Sequence, residues 1–367
     1  MNRESNDIDW IYELKNKVPA FLDRLRNVKK RGYSRYSLTG DLYTEKQNWG
    51  LGNTVFAARV YYTLDLLDNL PENELGDIIN FIKSFQRRDG SIYDPLISPK
   101  TTLLAKLYAL KNLDFSNGEK IRRAETRQSV STLRLLRSRP DFPYVKLPHT
   151  LEGIGQYLEK LNWGEPYGAA SHFSHLLFFL RVNNEMFCSP KASVELINYA
   201  IEWISKLQSA EDGSWYKGKV TSKTQKINGA MKVITGLKTV DKLNFKYPEL
   251  LIDLCLSQDT YDQACNVLDV IYVLHYSNYL TRRSYRYNDI MNFCYTWLKT
   301  AKRHYFSDVG GFSFFPGRAN QYYYGAKITR GLNEPDIHGT VLLLWGIALV
   351  SRLLGIDKEL KFKEFVP

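Results

Sequence analysis

The chain has 367 residues, a formal net charge of +11, 44% hydrophobic and 14% aromatic residues, with 25 Tyr and 18 Phe. That is enough apolar material for a substantial core, in one large domain or two small ones, and enough aromatic surface for thick helix packing or an aromatic-lined pocket. The charge suits a nucleic acid, a membrane surface or an anionic substrate; the basic residues form no run long enough for a tail or localisation signal, so nucleic acid is not expected and a scattered solvated face is the plain alternative.

Breakers divide the sequence into helical segments. Residues 9–28 are amphipathic after a polar start that predicts no secretory leader. A loop rich in Gly, Tyr and Ser (31–49) leads to a helix over 52–67, and helices follow over 74–87, 101–112, 121–138 and 151–161. The segment 169–182 is strongly apolar yet contains His172 and His175. Helices are predicted over 192–207, 226–237, 248–256, 261–276, 287–303 and 336–354. No window reaches the ~18 uncharged apolar residues of a membrane span. Cys188, Cys255, Cys265 and Cys294 lie far apart without metal-type spacing and read as thiols of a reducing compartment. The expected location is cytoplasmic, with peripheral membrane contact left open.

Few segments alternate as strands do, so the fold class is all-α. About half of the helices are one-sided; the others are apolar nearly all round after a polar first turn, and such helices are buried on every side. Alternation of the two kinds predicts concentric inner and outer layers of antiparallel neighbours, a single domain over 1–367. A loose repeat separates the layers: Gln86-x-x-Asp89-Gly90-Ser91, Gln208-x-x-x-Asp212-Gly213-Ser214-Trp215 and Asp308-x-Gly310-Gly311-Phe312-Ser313.

These turns resemble the motifs of squalene cyclases in which Gln, Gly and Trp tie an outer helix to the next inner one. The resemblance extends to the terpenoid cyclase and protein prenyltransferase superfamily and implies an (α/α)6 toroid. Asp259-Thr-Tyr261-Asp262-Gln263-Ala264 is similar to the class II cyclase motif D-x-D-D-T-A, but Tyr261 stands at the protonating acid. Asp262, Cys265 and His338 have the residue types of the prenyltransferase zinc ligands without their spacing; no cofactor or metal is expected.

In such a toroid the starts of the inner helices face one cavity, where helix dipoles favour anions. Arg123 and Arg127 would clamp a phosphate or carboxylate, or simply form a solvated ion-pair face. His172 and His175 share a helix face and would act as acid or base, or be satisfied core residues. Lys226, Asn228 and Lys232 begin one inner helix; Asp262, Asn266 and Asp269 form a stripe on the next, either a ligand site or an ion-pair network. Asp336 and His338 would form an acid/base pair, unless Asp336 is an N-cap. Tyr322, Tyr323 and Tyr324 would line or cover the mouth.

The expected function is that of a terpene-cyclase-like enzyme on an isoprenoid or its diphosphate, with Asp262 or the Asp336–His338 pair moving the proton. The alternatives are a lyase, epimerase or hydrolase on an anionic glycan, and a non-catalytic binding toroid. The expected partner is accordingly a small molecule or a glycan; the sequence does not set an oligomeric state.

Overall fold

The repeated turns share a glycine in the left-handed region: Gly32, Gly90, Gly213 and Gly310. A computed structural model describes residues 8–27, 29–97, 117–188, 190–220, 222–258 and 262–366. The predicted helix over 101–112, and Asp259 and Tyr261, lie outside the described residues. In the turn at Asp212, the carboxylate Oδ1 accepts from the Ser214 backbone N–H at 3.0 Å and from its hydroxyl at 2.6 Å. Gly213 has a φ of +74°, and a Cβ there would stand 2.6 Å from the Tyr247 carbonyl oxygen, so only glycine fits. Gln208 donates to the Gly213 carbonyl at 2.8 Å and accepts from the Lys246 N–H at 2.9 Å, joining the turn to the segment beyond the next helix. Gln86 repeats this, accepting from Asp141 N–H at 2.7 Å and donating to the Phe142 carbonyl at 3.0 Å. In the third turn Gly310 presses on the backbone of Lys17, near the other end of the chain. A fourth turn of this kind, at Gly32 against Asp77, escapes the sequence pattern because it lacks the Gln.

Between the turns run thirteen α-helices among the described residues, so the protein is all-α. Six are buried nearly all round: α2 (Leu51–Thr63), α4 (Asn117–Leu135), α6 (Pro166–Phe187), α8 (Lys223–Thr239), α10 (Ala264–Leu280) and α12 (Ile337–Leu354). The others bury one face. α1 (Leu14–Leu25) turns Leu14, Val18, Phe21, Leu22 and Leu25 inward. α3 (Glu72–Lys83), α5 (Leu151–Glu159), α7 (Pro190–Ser205), α9 (Pro248–Leu256) and α11 (Tyr287–Lys302) lie beside the buried helices, and the short α13 (Asp357–Leu360) follows α12.

The buried helices touch in sequence: α2 packs on α4, α4 on α6, α6 on α8, α8 on α10, α10 on α12, and α12 returns to α2. Small residues permit the close approaches. A Cβ on Gly236 of α8 would meet Ser174 Cα of α6 at 3.0 Å, and one on Gly346 of α12 would meet Trp297 of α11 at 2.4 Å. The described strands are two-residue pairs, β1 (Tyr305–Phe306) with β2 (Gly311–Phe312) and β3 (Tyr322–Tyr323) with β4 (Ala326–Lys327).

α12 corrects one expectation. It is 18 residues long with mean hydropathy 1.7, long and apolar enough to cross a membrane, but 78% of it is buried inside the fold. Its apolar character is that of a core helix between α2 and α10.

Candidate functional site

A cavity of about 570 Å³ opens beside α4, α6 and α8. Its wall carries five cationic side chains (Lys120, Arg123, Arg127, Lys160 and Lys232) and one carboxylate, Glu165. α4 supplies three of the cations because positions 120, 123 and 127 fall on one helical face. The start of α6 follows Trp163, buried with its Nε1 donating to the Leu158 carbonyl at 2.9 Å. That anchor sets the first turn of α6 against the cavity, with Pro166 at its N-terminus.

His172 and His175 lie on this wall, as their spacing predicts. Arg123 Nε donates to His175 Nδ1 at 3.2 Å. The guanidinium has no acceptor, so Nδ1 must be bare and the imidazole proton sits on Nε2. His172 Nδ1 shares a hydrogen bond with the Tyr157 hydroxyl at 2.7 Å. Burial, then the charges of Arg123 and Lys120, push His172 down to about 3. Burial and the charges of Arg127 and Arg123 hold His175 well below its ordinary value. Both are therefore neutral at pH 7 in a cationic wall.

Burial also lowers Arg127, to about 10, and its guanidinium lies 5.5 Å from the centre of the Phe178 ring. Lys232 sits 5.4 Å from the centre of the Tyr167 ring. Tyr324 reaches the wall from the tip of the β3–β4 hairpin, with a φ of +48°, followed by Gly325 at +83°. Its hydroxyl accepts from Gln128 Nε2 at 2.9 Å. Of the three tyrosines expected at the mouth, Tyr324 lines the cavity, Tyr323 is buried and Tyr322 is exposed.

The wall thus gathers Arg123, Arg127, His172, His175 and Lys232. It does not gather the remaining candidates, and the reasons are local. α10 begins at Ala264 with Gln263 as its extended N-cap, so Asp262 precedes the helix and is not on its stripe. Asp262 is exposed, with Arg303 at 3.4 Å as its ion-pair partner. Lys226 belongs to the turn below it: it pairs with Asp212 at 2.6 Å and lies 4.5 Å from the centre of the Tyr216 ring.

Asp336 is an N-cap. Its Oδ1 accepts from Gly339 N–H at 2.7 Å, and its Oδ2 accepts from Phe314 N–H at 2.8 Å and Asn320 N–H at 3.0 Å. Burial pushes the group up to about 7 against the pull of these N–H donors. His338 stacks on Phe56 at 4.6 Å and shares a hydrogen bond with the Tyr36 hydroxyl at 3.2 Å; burial lowers it to about 3. The His338 backbone N–H also donates to the Asp336 carboxylate, but the imidazole does not bond to it, so the two side chains do not form the expected acid/base pair.

Asn228, Asn266 and Asp269 occupy the facing sides of α8 and α10, next to Lys232. Asn228 and Asn266 join side chain to side chain at 3.0 Å. The expected stripe of Asp262, Asn266 and Asp269 is thereby reduced to the last two.

The described residues contain no group of three or more His, Cys, Asp or Glu side chains placed to hold a metal. Burial pushes the Cys265 thiol up to about 12, with Asp269 adding to the effect, so it is protonated at neutral pH. Sequence reasoning misses Lys120, Lys160 and Tyr167. Lys120 lies one residue before the predicted helix over 121–138, and its register with Arg123 and Arg127 follows only from the earlier start at Asn117; Lys160 and Tyr167 flank a turn whose direction only the fold supplies.

No protein-family model matches this chain, and no curated protein matches it in sequence.

Proposed function

We propose that the chain is an (α/α)6 toroid and that it acts as an enzyme on an acidic glycan, moving a proton at a carbon beside a carboxylate. The cyclic contact order of the six buried helices, with one-sided helices beside them, supports the toroid. The observation that carries the activity is a pair of neutral histidines, His172 and His175, in a wall whose charged groups are five cations and one carboxylate.

The chemistry follows from that contrast. Cations around a uronate carboxylate offset its charge and make the adjacent C–H more acidic. Arg123, Arg127 and Lys232 are placed for this. His175 offers Nε2–H as a neutral donor. In the tautomer that donates Nδ1–H to Tyr157, His172 presents a bare Nε2 and takes the proton. Burial is the main cause of the low basicity of His172, and bound anionic charge offsets the smaller contribution of Arg123 and Lys120. In an elimination, the C–H electron pair becomes the new C=C bond, and the C–O bond on the next carbon breaks. The departing oxygen takes a proton from the wall or from water. In an epimerisation the proton returns to the other face of the same carbon.

The test is incubation with uronate polymers, read as near-ultraviolet absorbance of unsaturated products and as solvent deuterium entering the sugar. Activity in either readout that disappears in His172→Ala is expected. Neither absorbance nor exchange across glucuronate, galacturonate and mannuronate polymers would sink the proposal.

A second reading, an isoprenoid diphosphate as substrate, is favoured by the cations and by the aromatic group of Tyr36, Phe56, Phe314 and Tyr323 around His338. It loses both carboxyl groups expected to move its proton, because Asp262 is on the surface and Asp336 is committed to backbone N–H groups. Product analysis by mass spectrometry with prenyl diphosphates separates the two.

A further inference from the structure

Asn228 and Lys232 stand one turn apart on α8, and Asn266 and Asp269 stand about one turn apart on α10, two helices that pack together. With the Asn228 amide nitrogen turned toward acceptors, it lies 3.2 Å from the Thr224 carbonyl and 3.3 Å from Asp269 Oδ2. Asp269 is 4% exposed. Lys232 is its electrostatic partner but forms no ion pair with it. Burial pushes Asp269 up to about 6, and Lys232 pulls it down. At neutral pH it is a buried carboxylate with one long hydrogen bond.

Such a group is destabilising unless something completes its hydrogen bonding. A hydrocarbon against this wall would leave the carboxylate and both amides short of partners. Hydroxyl groups supply what is missing, because a hydroxyl donates to the carboxylate and accepts from an amide N–H. Lys232 joins this patch to the cationic wall, since it both lines the cavity and acts on Asp269.

We propose that Asn228, Asn266 and Asp269 form a hydroxyl-binding subsite beside the cationic wall, so that the ligand of this cavity is polyhydroxylated as well as anionic. The inference rests on the acidic-glycan reading and gives its specificity a location: the carboxylate goes to Arg123 and Arg127, and sugar hydroxyls go to Asp269 and the two amides. An anion without hydroxyls uses the first group alone.

The experiment is titration calorimetry of D-glucuronate and of inorganic sulfate against the wild-type protein, Asp269→Ala and Asn266→Ala. The expected result is a Kd for glucuronate raised at least tenfold in both variants, with the Kd for sulfate unchanged. The melting temperature of Asp269→Ala should be equal to or above that of the wild type, because a poorly paired buried charge has been removed. Glucuronate binding intact in both variants overturns the subsite and leaves the anionic site standing. Wild-type protein that binds sulfate but not glucuronate overturns the glycan reading and the subsite together.

Discussion

Arg123 and His175, 52 residues apart in sequence, meet on the cavity wall with Arg123 Nε donating to His175 Nδ1 at 3.2 Å. The contact fixes a tautomer and holds a cation against an imidazole that must stay neutral. Arg123→Gln keeps an N–H donor but removes the charge. The bound anion then loses one charge-assisted partner, worth about 1.5–3 kcal/mol, or roughly a 10- to 150-fold weaker Kd. Calorimetry with glucuronate or sulfate checks this. Nitrogen NMR of His175 should still show the proton on Nε2; a switch to Nδ1 would mean that the Gln does not replace the donor.

The neutral histidines make stability depend on pH, and the sign can be stated. His175 has a folded-state pKa well below 6.5, because of burial and then the charges of Arg127, Arg123, His172 and Lys232. The unfolded chain therefore binds the extra proton as pH falls below about 6.5, and stability is lost in that direction. His175→Gln should show the shallower slope, by about 1.4 kcal/mol per pH unit, between pH 6 and pH 4. Buried carboxylates such as Asp269 titrate in both proteins and cancel in the difference. Urea midpoints at four pH values measure it; parallel slopes would refute the neutral assignment.

Helix existence was legible in the sequence because it rests on local periodicity, and the start of α10 shows where that reading ended. Placing the helix over 261–276 puts Asp262 in the first turn of a stripe with Asn266 and Asp269. The helix begins three residues later, at Ala264, and Asp262 rotates out of the site. Lys226 failed for a different reason. Its partner, Asp212, lies 14 residues back in a turn whose geometry depends on the packing of Gly213 against Tyr247. His172, His175, Arg123 and Arg127 were recoverable because each lies well inside a helix, where an error of one turn at the end does not change the face.

Two aspartates should separate in consequence. Asp262→Asn removes an exposed carboxylate and should change stability by no more than about 0.5 kcal/mol, with glucuronate binding unchanged. Asp336→Ala removes the N-cap of α12 and leaves three buried backbone N–H groups without their acceptor. A loss of roughly 3–5 kcal/mol is expected from the cap and the stranded donors. Chemical denaturation of both variants checks the contrast, and a silent Asp336→Ala would remove the argument that this carboxylate is structural.

Glu364 tests whether stability and binding can be altered independently. The segment after α13 runs across the far ends of the buried helices: Lys363 N–H donates to the Thr63 carbonyl at 2.7 Å, and the Ser131 hydroxyl donates to the Val366 carbonyl at 3.0 Å. Glu364 is buried there, accepting from the Tyr276 hydroxyl and pairing with Arg352, with Lys238 at 3.5 Å. Phe365 stacks on Trp345 and lies under Arg59. Glu364→Ala leaves the two cations facing each other without their carboxylate, and a loss of about 3 kcal/mol follows. None of these groups lines the cavity, so the Kd for glucuronate should stay within about twofold of the wild type wherever the variant remains folded. Arg59 is a physical link between the two regions, because its guanidinium also donates to the Gln128 carbonyl at 2.9 Å and Gln128 holds Tyr324. A Kd that rises in step with the lost stability would show that this link carries strain from the tail to the cavity, and that the two ends of the helix assembly are not independent.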